Sequence, residues 1–405
     1  MVKSRGNRLR MIAHCSGRTD KMRSVLAAAL AAVFTTGSAV AAELPKQISW
    51  TAYGTTSSGY AQSVGLGNML KAKYDSDLRI IPGKNDVSRM LPLKAGQAEI
   101  CACGIASYFG QEGVFMFAND RWGPTPLYNL FNNIGRNGAS LIVAGDLGVK
   151  SWADLKGKRV TWIKGSPALN LNSTANLAYA GLTWADVDKI VVPGWGQSMQ
   201  AIIDGQADAA YGSTISSKYN QINASPRGLL HIPFPSADKA AWERANAIAP
   251  HWYPVTVSNA VAIEKNTAGT KTFEGAGFPY PIFVALPSMK DDFAYGLTKA
   301  VMTNYETFKN SGPGMDGYQV KNQNLSWIFP YHPGSIKFFK EIGEWTAESQ
   351  AGTDALHARN EVLAAAWKEF KSMTVTKDEY ELKWLEVRAK HLGAAGMPIP
   401  FKTPL

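Results

Sequence analysis

The sequence predicts an α/β fold of two lobes, joined by two crossing hinge segments and followed by a helical C-terminal extension. Three observations predict it. Strand-like and helix-like runs alternate over residues 43–104 and again over 151–214, a pattern that argues for parallel sheets. Two isolated apolar runs, 140–144 and 281–286, read as strands that pass from one lobe to the other and back. Beyond Gly343 the alternation gives way to helical periodicity. The expected limits are 42–145 and 282–343 for lobe 1, 146–281 for lobe 2, and 344–405 for the extension.

In chain order, 48–53 reads as a strand, and the polar stretch 54–59 leads into a helix over 60–74 with apolar positions at helical spacing. A strand follows at 78–82, a short helix at 87–95 and a strand at 99–103. In the second unit Ser151 and Asp154 make a capping box, Gly157 a stop, and 158–163 a strand. A polar loop, 164–170, then leads into a helix over 171–181. Residues 190–192 read as a strand, 196–205 as a helix and 207–211 as a strand ending in the polar run Gly212-Ser-Thr214. After the return crossing come helices at 291–309 and 335–341, and in the extension at 344–371 and 377–392. Thr376 and Glu379 cap the last helix and Gly393 is its expected stop. Trp345, Trp367 and Trp384 are expected to pack the extension onto the body.

Residues 1–41 read as a cleaved export signal. Seven basic residues and one acidic residue precede the apolar run 25–33, and Ala39-Val-Ala41 fits a small-residue cleavage site. The expected location is therefore the periplasm. The whole chain carries +10; the leader accounts for +6 and leaves about +4 on the mature chain. That is mildly basic, and it lacks the dense basic patch of a nucleic-acid binder. Cys101 and Cys103, one residue apart on a strand, are expected as two small buried thiols, since a disulfide across one residue is strained.

In open sheets of this kind solutes sit beyond the carboxyl ends of the strands. There this chain places loops of Gly, Ser, Thr, Asn and Tyr: 54–59, 83–88, 104–108, 164–170 and 212–214. Two of these loops open helices. Free backbone N–H groups, the positive end of the helix dipole and clustered hydroxyls make such starts ready anion sites. Lys84 and Lys164 are the cations on these loops; Arg89, Arg121 and Arg136 are more distant, and each taken singly is expected as a solvated surface charge. Tyr60, Tyr108, Trp162, Trp195, Tyr211 and Tyr280 are candidate cleft walls. No Gly-x-Ser-x-Gly elbow, phosphate loop or His-Glu-x-x-His motif is present, so no catalytic, metal or cofactor site is expected. His332, set among Pro and aromatic residues, is expected to be structural.

Five segments in order give the chain a resemblance to a known family: 53–60 (Tyr-Gly-Thr-Thr-Ser-Ser-Gly-Tyr); 83–88 with 93–99; 152–160; 201–210; and 330–334 (Pro-Tyr-His-Pro-Gly). Over residues 48–343 it resembles the extracytoplasmic solute receptors of the TAXI branch of TRAP transporters. The resemblance implies a type II-like, two-lobed periplasmic binding protein. Such a protein closes on a small organic anion, a carboxylate or amino acid, and delivers it to the permease subunits of an ion-coupled transporter. It implies a monomer with no nucleic-acid partner, no cofactor and no enzymatic activity. A binding subunit of an ATP-driven importer or of a sensor is the alternative, and a periplasmic enzyme of the same fold a further one. The ligand-binding positions it implies are Thr55, Thr56, Ser57, Ser58, Asn85, Ser88, Ser107, Tyr108, Ser166, Asn170, Tyr211, Ser213 and Thr214, to which the aromatic candidates add Tyr60 and Trp195. The chain departs from the family in its Thr-Thr-Ser-Ser loop, in Trp195 and in the helical tail after Gly343.

Overall fold

A computed structural model describes residues 44–266 and 270–405. The expected export signal lies outside the described residues. Lobe 1 begins with β1 (Gln47–Tyr53), α1 (Ser58–Tyr74), β2 (Asp77–Gly83), α2 (Asp86–Lys94), β3 (Ile100–Cys103), α3 (Ala106–Glu112) and β4 (Tyr128–Asn132). The chain crosses to lobe 2, which holds β5 (Ala139–Ala144), β6 (Arg159–Ile163), α4 (Pro167–Tyr179), β7 (Asp188–Val192), α5 (Trp195–Ile203) and β8 (Ala209–Ser213). Lobe 2 continues with α6 (Lys218–Ala224), β9 (Leu229–Leu230), α7 (Lys239–Ile248), β10 (Tyr253–Val257), α8 (Ile263–Asn266) and β11 (Phe273–Gly277). The return adds β12 (Ile282–Ala285), α9 (Asp291–Thr303), α10 (Tyr305–Phe308) and α11 (Pro333–Glu341) to lobe 1.

The two main sheets share one plan. Their strand orders are β2-β1-β3-β12-β4 and β7-β6-β8-β5-β9. In each, a parallel βαβ unit builds one half, and the strand that follows a crossing is inserted antiparallel: β12 against β3, and β5 against β8. The carboxyl ends of β1 and β3 and those of β6 and β8 therefore face the same cleft. The lobe 1 core centres on Trp50, Phe131 and Phe283, the two phenylalanines stacked 4.5 Å apart and Trp50 edge-on to Phe283.

Local chemistry explains the helix starts. Ser57 accepts from the Tyr60 N–H and opens α1, while Asn85 and Ser88 form a reciprocal capping box that opens α2. Helix α4 begins four residues before the expected position. Pro167 stands in its first turn, where its lack of an N–H costs nothing, so the expected loop is shortened into helix. Gly393, the expected stop, lies inside the last helix; the chain turns at Gly396 instead, with φ +66°.

The cysteine expectation is corrected. Cys101 and Cys103 form a disulfide. Strand alternation puts both side chains on one face, and their Cα atoms are 5.0 Å apart, inside the span a disulfide bridges.

The extension is a hairpin of α12 (Ala347–Lys371) and α13 (Tyr380–Ala394). Trp384 is buried, donates to the Gly113 carbonyl at 2.7 Å and packs edge-on against Trp367. Under the hairpin Glu112 of α3 is fully buried between Arg359 and Arg388. Arg359 donates to both its oxygens, at 2.6 and 2.8 Å, and Arg388 to Oε2. The remaining guanidinium nitrogens donate to the carbonyls of Pro398 and Pro400, which fixes the C-terminal strand of chain. Phe401 then packs among Tyr108, Phe109 and Phe115.

Candidate functional site

The lobes meet along the loop 84–87, which lies between the starts of the two lobe 2 helices. The Trp195 N–H at the start of α5 donates to the Lys84 carbonyl at 3.1 Å. Asn85 Nδ2 donates to the Lys164 carbonyl at 3.2 Å, and the Val87 N–H to the Gly165 carbonyl at 3.3 Å. Asp86 Oδ2 accepts from the Ala168 N–H at the start of α4, at 2.9 Å. On the other side Ser217 Oγ donates to the Thr56 carbonyl at 2.9 Å. The structure is a closed form.

Between the lobes lies a partly open cavity lined by Tyr53, Ser57, Ser58, Asp86, Arg89 and Tyr280 from lobe 1 and its return crossing. Lobe 2 contributes Asn172, Trp195, Tyr211, Ser213 and Ser216, with Phe278 at the crossing. The space open to the centre of a water molecule is about 50 Å³. At ~10–15 Å³ per water so measured, that is room for a few waters or a compact group.

Asp86 and Arg89 are the charged pair of the site, 0 % and 1 % exposed. They stand three residues apart on the first turn of α2, so their side chains share one face. Gly83 permits the approach: a Cβ there would lie 2.7 Å from the Arg89 backbone. Asp86 Oδ1 accepts from Arg89 Nη2 at 3.1 Å and from the Tyr53 hydroxyl. The guanidinium lies over the Tyr53 ring, 3.8 Å from its centre. Arg89 is incompletely used: Nη1 reaches the Ala102 carbonyl only at 3.5 Å, and the buried Nε has no hydrogen-bond partner. A buried arginine in the wall of a cavity is suited to receive an anion.

Burial raises the Asp86 carboxyl against the pull of Arg89, Tyr53 and the Ala168 N–H. Burial likewise raises the phenols of Tyr53, Tyr211 and Tyr280, so all three present neutral hydroxyls. The Tyr211 hydroxyl is buried without a partner. Behind the wall, Asn172 Oδ1 accepts from Trp252 Nε1 at 2.9 Å and lies 3.1 Å from His251 Nε2, which leaves its amide donors for the cavity. Trp195 is held by its Nε1 donating to the Tyr211 carbonyl at 3.1 Å.

Of the positions expected from sequence, Ser57, Ser58, Trp195, Tyr211, Ser213 and the cleft-wall candidate Tyr280 line this cavity. The structure places the others elsewhere. Thr55 is exposed, and Thr56 contributes its carbonyl to the lobe contact. Tyr60 packs against the lobe 1 core. Asn85 and Ser88 cap α2, and Ser107 Oγ donates to the Gly104 carbonyl at 2.6 Å. Tyr108 packs on Phe329 and Phe401. Asn170 brackets Ile163, donating to its carbonyl and accepting from its N–H. Ser166 is buried just before α4, and Thr214 Oγ1 bonds to the backbone of Gly138 and Asn259. The α4 start, expected as an anion site for a solute, already holds Asp86.

Sequence reasoning missed Tyr53, Asp86, Asn172, Ser216 and Phe278 and took Arg89 for a surface charge. One signal was available: Asp86 and Arg89 stand at i, i+3, and Asp86 comes three residues after the strand-end Gly83.

A family model describing the NMT1-like family matches residues 51–343. The chain belongs to the NMT1-like family. The cavity residues from Tyr53 to Tyr280 all fall within the matched span, and the helical hairpin falls outside it. No curated protein matches this NMT1-like chain. Among solved structures it is similar to a protein from Bordetella bronchiseptica RB50, with TM-score 0.41 and 15% identity over 89% of this chain and 95% of that one. It is also similar to the alkanesulfonate-binding protein of Xanthomonas axonopodis pv. citri bound to MOPS, with TM-score 0.37 and 16% identity over 89% and 96%. An ancestral arginine-binding protein bound to glutamine gives TM-score 0.37 and 14% identity over 68% and 96%.

Proposed function

We propose that this protein is an exported solute receptor that captures a small organic anion between its lobes and works by closure without chemistry. The observation that carries the reading is Arg89: a buried guanidinium, paired with Asp86, in the wall of a cavity between two lobes. The solute's acid group sits on Arg89, with Ser57 and Ser58 at the start of α1 and the hydroxyls of Ser213 and Ser216 as further donors. The five sequence segments, in their order, support delivery to the ion-coupled permease of a TRAP-type transporter. The basic leader, apolar run and Ala39-Val-Ala41 support export to the periplasm; an intact mass lacking residues 1–41 after expression would test that part.

The functional test is a thermal-shift screen of the purified protein against carboxylic acids, amino acids and sulfonates, repeated with Arg89→Met. A solute at ~100 times its Kd adds ~2.7 kcal/mol, a clear upward shift. One charge-assisted hydrogen bond contributes ~1.5–3 kcal/mol. Arg89→Met should therefore weaken the best acid by about tenfold or more. A screen with no hit, after denaturation has released any retained solute, would overturn the reading; a hit that Arg89→Met binds equally well would remove Arg89 from it.

A further inference from the structure

We infer that Asp86 sets the charge of the solute: it makes this a site for compact acids carrying one negative charge, and against dianions. The inference rests on the receptor reading above and deepens it.

Asp86 and Arg89 are the charged side chains lining the cavity. Both Asp86 oxygens are engaged, Oδ1 by Tyr53 and Arg89, Oδ2 by the Ala168 N–H of the opposite lobe. That N–H belongs to the first turn of α4, where backbone donors and the helix dipole would otherwise receive an anion from solution. The chain supplies that anion itself. The start of α5 is also engaged, by the Lys84 carbonyl. What remains for an acid is the part of Arg89 that lines the cavity, with its weakly engaged Nη1, and the serines at the start of α1.

One acid group can use those donors. A second would share a cation already paired with Asp86 and would be repelled by the Asp86 carboxylate across a small, water-poor space. The remaining walls answer with neutral groups: Ile105, Leu169, Trp195 and Phe278, and phenols that burial keeps protonated. Asp86 also spans the lobes, so the closed form carries its own bridging contact and does not need a second charge from the solute.

The test compares acids matched in length, propionate with malonate and butyrate with succinate, by calorimetric titration of the full-length expressed protein and of Asp86→Asn. Asn keeps an acceptor for the Ala168 N–H and removes the charge. The wild type should bind each monoacid at least about tenfold more tightly than its dianionic partner, and Asp86→Asn should shrink or reverse that ratio. Dianions binding the wild type as tightly as monoacids would overturn the inference and leave the receptor reading standing. So would an unchanged ratio in a folded Asp86→Asn. If that variant does not fold, the wild-type ratio alone decides. No binding of any of the four acids overturns the inference, and takes the receptor reading with it only when the wider screen is blank as well.

Discussion

Two buried clusters in this protein are built from the same groups, a carboxylate and arginine, and they do opposite things. Under the C-terminal hairpin, Glu112 meets Arg359 and Arg388, and every guanidinium nitrogen has a partner on Glu112 or on the carbonyls of Pro398 and Pro400. In the cleft, Asp86 is fully engaged, while Arg89 keeps a buried Nε with no partner and lines an open space. The difference teaches how to tell a tether from a site. Burial and charge are shared by both; the cavity that Arg89 and Asp86 line marks the second as a place for a solute.

The largest effect expected is on the tether. Glu112→Ala would leave two buried guanidinium groups facing each other, and breaking a buried pair in this way costs ~3–5 kcal/mol. Thermal unfolding should show the loss, and limited proteolysis should cut first in 344–405. An unchanged melting temperature would mean that the hairpin is held by Trp384 and Phe401 and that the ion cluster is dispensable.

Acid should separate the clusters next. Burial alone would raise the Glu112 carboxyl, but the two guanidinium groups outweigh it and hold it below its ordinary value of 4.5. Its stabilisation is thus present above that value and is lost as pH falls through the lower, folded pKa. Asp86 is shifted upward, so its protonation on acidification relieves the folded state. Burial also lowers His251 to about 3. The unfolded chain takes up that proton near ~6.5, and stability contributed by neutral His251 falls as pH drops from there towards 3. Denaturant titrations between pH 7 and pH 3 should show a steeper acid loss for wild type than for Glu112→Gln. Parallel curves would contradict the assignment.

The smallest effect sharpens the edge of the cleft. Ser57 lines the cavity but is also the cap of α1, so Ser57→Ala should lower stability by about 1 kcal/mol. Ser58→Ala, which removes no cap, should leave the unfolding midpoint within ~0.5 kcal/mol of wild type. Equal midpoints for the two variants would deny Ser57 its capping role.

Much of the fold was legible in the residues. The alternating runs, the Ser151–Asp154 capping box and the two helices of the extension carry their signals within a few positions of each other. The site was legible only in part. Ser57, Ser58, Tyr211 and Ser213 could be placed because they end strands or begin a helix at the cleft edge. Asn85, Ser107 and Asn170 have the same composition and similar loops, yet they spend their side chains on local backbone, which composition does not distinguish.

The sequence by itself determined the alternating strands and helices of 47–103 and 159–213, the polar loops at the strand ends and the helical tail, because these depend on periodicity, turns and caps that neighbouring residues set; it left α3, β4 and the elements between 215 and 280 unread. Only the tertiary structure decided that Arg89 is buried and incompletely paired, that Glu112 is neutralised by residues almost 250 and 280 positions away, and that Asp86 fills the start of α4 from the other lobe. The reason is physical: whether a charge becomes a surface group, a tether or a receptor depends on its desolvation and on the partners left to it, and those are fixed when distant segments pack together.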